Sequence, residues 1–382
     1  MSTYRERTRR QTARASVLRA IATRERRSHL SAPRVPTVGI DIGGTKVMAG
    51  VVDADGTVLE RVRTETPDKS KSPKVVEDTI TELVLDLSDR HDVHAVGIGA
   101  AGWVDADRSR VLFAPHLAWR NEPLRDALAA RLVVPIMVDN DANTAAWGEW
   151  RFGAGRGADH LVMITLGTGI GGAILEAGRV KRGAYGVAGE FGHMQVVPGG
   201  HRCPCGNRGC WEQYSSGNAL VREARELAAA DSPVAHHILD RVGGQIGDIT
   251  GPLITELARG GDPMCVELLE DIGRWLGIGI ANLAAALDPA RFVIGGGVSE
   301  AEDLLIGPAR DAFRRQLTGR GYRPEADIVR AELGTDAGMV GAADLARLVA
   351  RRFRRANRRR AERAHRTGFE LRLPPRGRAA RP

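Results

Sequence analysis

A duplicated α/β fold with two lobes is predicted by three features of this 382-residue chain. Short runs of alternating apolar residues end in glycine turns, stretches with helical spacing separate those runs, and one strand–glycine–strand pattern occurs twice. The first copy is Val38-Gly-Ile-Asp41-Ile-Gly43-Gly44-Thr45-Lys46 continuing to Val52, with residues 53–56 as the next turn. A shift of 124 residues lays it over the stretch from Val162 to Ala173, where Val38/Val162, Ile40/Ile164, Gly43/Gly167 and Ala49/Ala173 coincide. Two glycine hairpins facing one cleft follow from such a duplication.

Between the copies, Lys74 to Arg90 has helical spacing at Val75, Ile80, Leu83, Val84 and Leu87. Residues 94–102 read as a buried strand ending in a glycine loop, residues 124–132 as a helix, and residues 133–138 as a strand ending at Asp139-Asn140-Asp141. Asn143 to Trp150 starts another helix. Beyond the second copy, residues 216–259 are largely helical and are expected to cap the second lobe. Cys265 to Leu287 reads as a long helix, and residues 291–294 as a strand leading into Gly295-Gly296-Gly297. Ala337 to Val349 reads as a closing helix. The expected division is a basic extension (1–35), an N-terminal lobe (36–139, closed by a helix at about 337–350), a C-terminal lobe (140–336) and an arginine-rich tail (351–382).

Composition excludes several classes. Hydrophobic content of 43% with 27% charged residues is that of a soluble globular protein. No apolar run approaches the roughly 18 residues of a transmembrane helix. The N-terminus lacks the order of a secretory signal, so a cytoplasmic location is expected. The net charge of +8 belongs to the ends. Residues 1–35 hold ten Arg and two Glu, residues 351–382 hold thirteen Arg and two Glu, and the body between them carries −11. Such tails either touch nucleic acid weakly or remain solvated. Residues 11–30 could form an amphipathic helix with Val17, Leu18 and Ile21 on one face.

Three of the four cysteines lie within eight residues, Cys203, Cys205 and Cys210, and His193 stands ten residues before the first. Three thiolates and an imidazole make the tetrahedral shell of a closed structural zinc site. An odd cluster, with Cys265 far along the chain, argues against disulfides. The same metal would draw Glu190 and Glu212 together, giving a polyhydroxylated ligand fixed acceptors. The hairpin Asp41–Lys46 adds a hydroxyl, an ammonium and a carboxylate to glycine backbone. Thr45 and Lys46 suit terminal phosphates, and Asp41 suits Mg²⁺. Thr168 and Gly169 offer a second phosphate nest, and Gly296 and Gly297 a platform for a purine. At the end of a strand, Asp141 is placed to accept a hydroxyl proton in phosphoryl transfer, with Asn140 bonding a neighbouring hydroxyl. As isolated features, Asp139 or Asp141 would equally serve as a helix cap.

Together these motifs resemble the ROK family of sugar kinases and repressors, and within it the glucokinases of actinobacteria. The resemblance covers residues 36–350 and rests on six motifs in order: Asp41–Lys46, Asn140–Asn143, Leu166–Gly169, Gly189–His193, Cys203–Glu212 and Ile294–Gly297. It implies an actin-like ATPase fold, a duplicated ribonuclease-H-like α/β architecture, with ATP and glucose in the interlobe cleft. It further implies that Asp141 is the catalytic base and that Gly102, Asn140, Glu190, His193 and Glu212 contact the sugar. His193 would then serve twice, one ring nitrogen on zinc and the other on a sugar hydroxyl. Nucleotide contacts fall to Asp41, Gly43, Gly44, Thr45, Lys46, Thr168, Gly169, Gly296 and Gly297. Pro204 between the first two cysteines departs from the family pattern, as do both tails. A homo-oligomer, dimer or tetramer, is expected. Alternatives are a kinase of N-acetylmannosamine, fructose or mannose, a polyphosphate-using glucokinase, and a sugar-responsive transcriptional regulator. Polyphosphate-dependent relatives tend to lack the cysteine cluster, and a pure sensor would be free to lose Asp141.

Overall fold

The computed structural model describes residues 35–351. Both arginine-rich tails, and the helix expected over residues 11–30, fall almost wholly outside them. The first lobe is built on β1 (Thr37–Ile42), β2 (Lys46–Val52), β3 (Val58–Glu65), β4 (Val96–Ala100) and β8 (Ile136–Asn140), in the order β3-β2-β1-β4-β8. The first three strands are antiparallel, and β4 and β8 join β1 in parallel. A three-stranded sheet of β5 (Trp103–Val104), β6 (Val111–Phe113) and β7 (Arg120–Glu122) hangs between β4 and β8. The second lobe repeats the plan with β9 (His160–Leu166), β10 (Ile170–Glu176), β11 (Arg179–Lys181), β12 (Arg291–Gly295) and β13 (Asp327–Arg330), in the order β11-β10-β9-β12-β13. This is the duplicated, actin-like architecture that the repeat and the resemblance lead one to expect.

Register refines the repeat. Ile40 pairs with Ala49, and Ile164 with Gly172, so the second hairpin is one residue shorter than the first. The equivalence is 124 before the turn and 123 after it. Ala49 therefore matches Gly172 and not Ala173, and that coincidence in the sequence is out of register. A further equivalence emerges in the crossover strands. Val38 pairs with Val96 and Val162 with Phe292, which makes Ile98-Gly99-Ala100-Ala101 the counterpart of Ile294-Gly295-Gly296-Gly297.

Helix α1 (Pro73–Arg90) covers the first sheet with Val76, Ile80, Val84 and Leu87. Its stripe begins at Val76, since Val75 turns outward. Helix α2 (Leu124–Ala129) stops three residues short of the expected end. The next strand starts at Ile136 and not at Val133, because Pro135 lacks an N–H and Val133 projects fully into solvent. The β8 strand leads straight into α3 (Asp141–Phe152). In the second lobe α4 (Gly217–Ala229), α5 (His236–Arg241) and α6 (Gly251–Arg259) pack with α7 (Pro263–Leu287) and α8 (Asp303–Gln316) around one apolar core.

Residues 337–351 form α9, which returns to the first lobe. Paired Gly39 and Gly97 let it lie directly on that sheet: a Cβ on either would fall 1.9 Å from the carbonyl oxygen of Met339 or Ala342. Side chains from α3, α9 and both sheets, among them Trp147, Trp150, Met163, Met137 and Leu345, share a core at the junction of the lobes. No helix of the described residues is long and apolar enough to cross a membrane.

Candidate active site

The first hairpin closes on itself through the Gly43 N–H, which donates to Lys46 O at 3.0 Å. Gly43 thus shapes the loop, and its N–H is engaged within the turn. Asp41 sits half-buried on β1 behind the loop. Burial first, and the negative charge of Asp141 second, push its carboxyl up to about 7, against the opposing pull of Lys46. The interaction joins the first hairpin to the end of β8.

That strand end carries three polar residues with separate tasks. Asn140 caps α3: its Oδ1 accepts the Asn143 N–H at 3.1 Å. Asn140 Nδ2 donates to Gly102 O at 3.0 Å and to Asp141 Oδ1 at 2.9 Å. Capping therefore falls to Asn140, and neither Asp139 nor Asp141 is needed for it. Asp139 is buried against Arg182 and also accepts from Asn143 Nδ2 at 3.1 Å. Asp141 stands at the first turn of α3, where the helix dipole favours an anion. Burial nevertheless pushes its carboxyl up to about 6; the bond from the Ala142 N–H works against this and the charge of Glu190 adds to it.

Glu190 precedes a short 3-10 turn, Phe191–His193. Burial raises its carboxyl above the usual range, opposed by a hydrogen bond from Trp103 and by His193. Glu190 Oε2 lies 4.0 Å from His193 Nε2, and Glu212 Oε1 lies 3.8 Å from His193 Nδ1. The ligand atoms of His193, Cys203, Cys205 and Cys210 all fall within 4.8 Å of one another. Cys205 Sγ is 3.6 Å from Cys210 Sγ, and Cys203 Sγ is 3.7 Å from His193 Nδ1. A tetrahedral zinc with bonds of about 2.3 Å to sulfur and about 2.0 Å to nitrogen separates its ligands by about 3.5 Å (sulfur to nitrogen) to about 3.8 Å (sulfur to sulfur). The donor set suits that ion, and these two separations are close to what it requires. The loop is anchored by fully buried Trp211, whose Nε1–H donates to Trp275 O of α7 at 2.9 Å.

The second hairpin, closed by Gly167 N–H to Gly169 O at 3.0 Å, carries no charge. Gly217 N–H and Asn218 N–H of α4 bond to Gly167 O and Thr168 O, tying the loop to the helical cap. Gly169 lies against the sugar-site candidates: a Cβ there would fall 2.6 Å from Glu212 Oε2. Gly296, with φ +83°, bends the third loop over the carbonyl of Leu166, and Gly297 borders open space. Charge coupling links Asp41 to Asp141 and Asp141 to Glu190, and close contacts lead on from Glu190 through His193 and Glu212 to Gly169, an arc from one hairpin toward the other.

Three residues near this arc carry no motif. Trp103 follows Gly102 and lowers the Glu190 carboxyl; His116 stands against Gly44; Arg182 holds Asp139. Only Trp103 had a signal in the sequence, as a large aromatic directly after a site glycine.

Comparison with known proteins identifies the family. The model of the ROK family matches residues 37–348. The glucokinase of Streptomyces coelicolor is 47% identical over 311 residues, spanning 81% of this chain and 97% of that protein. A ROK family glucokinase from Streptomyces griseus, solved in complex with glucose and AMPPNP, has 50% identity and a TM-score of 0.76 over 82% of this chain and 99% of that one. The ROK hexokinase of Thermus thermophilus has 33% identity and a TM-score of 0.69 over 83% and 99%. With its two matched sheets, ordered motifs and these relatives, the chain belongs to the ROK family.

Proposed function

We propose that the protein is an ATP-dependent glucokinase, with Asp141 as the general base that takes the proton of the glucose 6-hydroxyl while that oxygen attacks the γ-phosphorus of ATP. One observation carries this reading: Asp141 is freed of capping by Asn140 and is coupled by charge to Asp41 of the first hairpin on one side and to Glu190 on the other. Family membership and the relative that holds glucose and AMPPNP support it.

In this reading Gly102, Asn140, Glu190, His193 and Glu212 orient the sugar hydroxyls, and the Asn140 amide fixes the Asp141 carboxylate. Thr45 and Lys46 hold the terminal phosphates, Thr168 and Gly169 the inner ones, and Gly296 and Gly297 pass beneath the purine. Asp41 would hold Mg²⁺, which neutralises charge on the phosphates during transfer. His193, Cys203, Cys205 and Cys210 would hold zinc. Four protein ligands leave no open position for a reacting water, so the ion's contribution is structural. It fixes the loop that presents Glu190, His193 and Glu212. The lobes are taken to divide at residues 139 and 140, with α9 returning to the first. Free zinc-held thiols suit the cytoplasm.

A coupled assay with ATP or polyphosphate against glucose, mannose, fructose and N-acetylmannosamine tests the assignment. Glucose with ATP is expected to give the highest kcat/KM. A clear preference for another sugar or for polyphosphate would overturn it.

A further inference from the structure

Asp139 has no part in the proposed chemistry, yet its side chain is among the most thoroughly bonded in the molecule. It is 1% exposed. Oδ1 accepts from the Asn140 N–H at 3.0 Å, from Asn143 Nδ2 at 3.1 Å and from Arg182 Nε at 3.1 Å. Oδ2 accepts from Arg182 Nε at 3.0 Å and from Arg182 Nη2. The remaining Arg182 nitrogen, Nη1, donates to Val180 O at 3.2 Å. Asp139 lies in β8 of the first lobe, and Arg182 directly follows β11 of the second. Arg182 O also accepts the Ala188 N–H at 3.1 Å, closing the loop that leads to Glu190. One guanidinium therefore ties the strand end carrying Asn140 and Asp141 to the root of the segment carrying Glu190 and His193.

We propose that Arg182 is a positioning residue for phosphoryl transfer: clamped on Asp139, it fixes the base-bearing end of β8 relative to the sugar-bearing loop of the other lobe. The inference rests on the reading of Asp141 as the base. Pairing of β8 with β4 ends at Asn140, so beyond it the carboxylate of Asp141 is held only by local bonds and by what anchors Asp139. A bidentate guanidinium–carboxylate pair fixes both distance and angle, which a single ammonium does not. Displacement of a catalytic group by about 1 Å costs on the order of 10²-fold in rate.

The test uses the full chain and compares Arg182→Met, Arg182→Lys and Asp141→Asn by steady-state kinetics with ATP, and by calorimetry for glucose. Arg182→Met is expected to lower kcat by roughly 10–100-fold while glucose Kd stays within about threefold. Arg182→Lys keeps the charge but loses the fork, and its kcat should lie between that of Arg182→Met and wild type. Added to Asp141→Asn, the Arg182→Met change should cost less than about threefold, because both act through one carboxylate. A wild-type kcat in Arg182→Met, a loss confined to glucose affinity, or an undiminished cost in the Asp141→Asn background would each overturn the proposal. If Arg182→Met does not fold, Arg182→Lys decides: a lowered kcat with normal glucose affinity supports the role, and wild-type kinetics overturn it. An Asp141→Asn enzyme with normal turnover would remove the base reading itself, whatever Arg182 does.

Discussion

The two sheets share one strand order but differ in what is attached to them. The first hairpin carries Asp41 and Lys46, and Asp141 follows β8 as the first residue of α3. The second hairpin carries no charge, and register places Leu333 at the position equivalent to Asp141. The N–H groups of Leu333 and Glu332 are instead bonded by buried Glu149 of α3, at 2.7 Å and 3.1 Å. The two frames are similar in strand order, but the charged residues Asp41, Lys46 and Asp141 occur only on the first. The second lobe carries instead the cysteine loop, in which His193, Cys203, Cys205 and Cys210 converge beside Glu190 and Glu212. A symmetric fold thus holds an asymmetric site.

The largest effect should come from the residue that breaks the symmetry. Asp141→Asn is expected to leave glucose binding nearly intact and to reduce kcat by roughly 10²–10⁴-fold, as loss of a positioned base does. In the wild type, with the Asp141 carboxyl pushed up to about 6, only the deprotonated form accepts the hydroxyl proton. The kcat/KM for glucose should therefore fall as pH drops below about 6, by tenfold per unit, and level off above it. A profile flat down to pH 4.5 would contradict that assignment.

A smaller effect separates the hairpins. Lys46→Ala should raise the KM for ATP or lower kcat by roughly tenfold to a hundredfold, the scale of a lost charge-assisted phosphate contact, with glucose affinity little changed. Gly169→Ala should behave differently, although both loops are read as phosphate nests. Its new methyl meets the Glu212 carboxylate, so the glucose KM should rise several-fold along with any loss on the ATP side. Equal behaviour of the two variants toward glucose would erase the proposed difference between the loops.

Much of this was legible in the residues. Glycine punctuation located both hairpins, and the tight spacing of Cys203, Cys205 and Cys210 announced their convergence with His193 because so few backbone paths join them. Helices α1, α3 and α7 emerge within two residues of the expected ends; α1 and α7 are long and apolar on their buried faces, and α3 is buried all round between Ala142 and Trp150. Edge elements were harder to see. Strand β3 alternates half-buried and exposed residues and β5 to β7 are two or three residues long, so neither gives a strong hydrophobic period. The one-residue difference between the hairpins was invisible because register is fixed by cross-strand bonds, which a linear shift does not contain. Arg182 was missed for a related reason: a lone arginine after a three-residue strand has no signature until its partner Asp139 is brought to it.

The proposed division of labour gives the cysteine loop, held by zinc, to the sugar and the first hairpin to the nucleotide. It is tested most directly by calorimetry with glucose and with a non-hydrolysable ATP analogue, before and after removal of metal by a strong chelator, with metal content measured throughout. About one zinc per chain is expected at the start, as a four-ligand site implies. Chelation should abolish or severely weaken glucose binding while the nucleotide analogue binds with affinity reduced far less. Metal-free protein with normal glucose affinity would contradict the account.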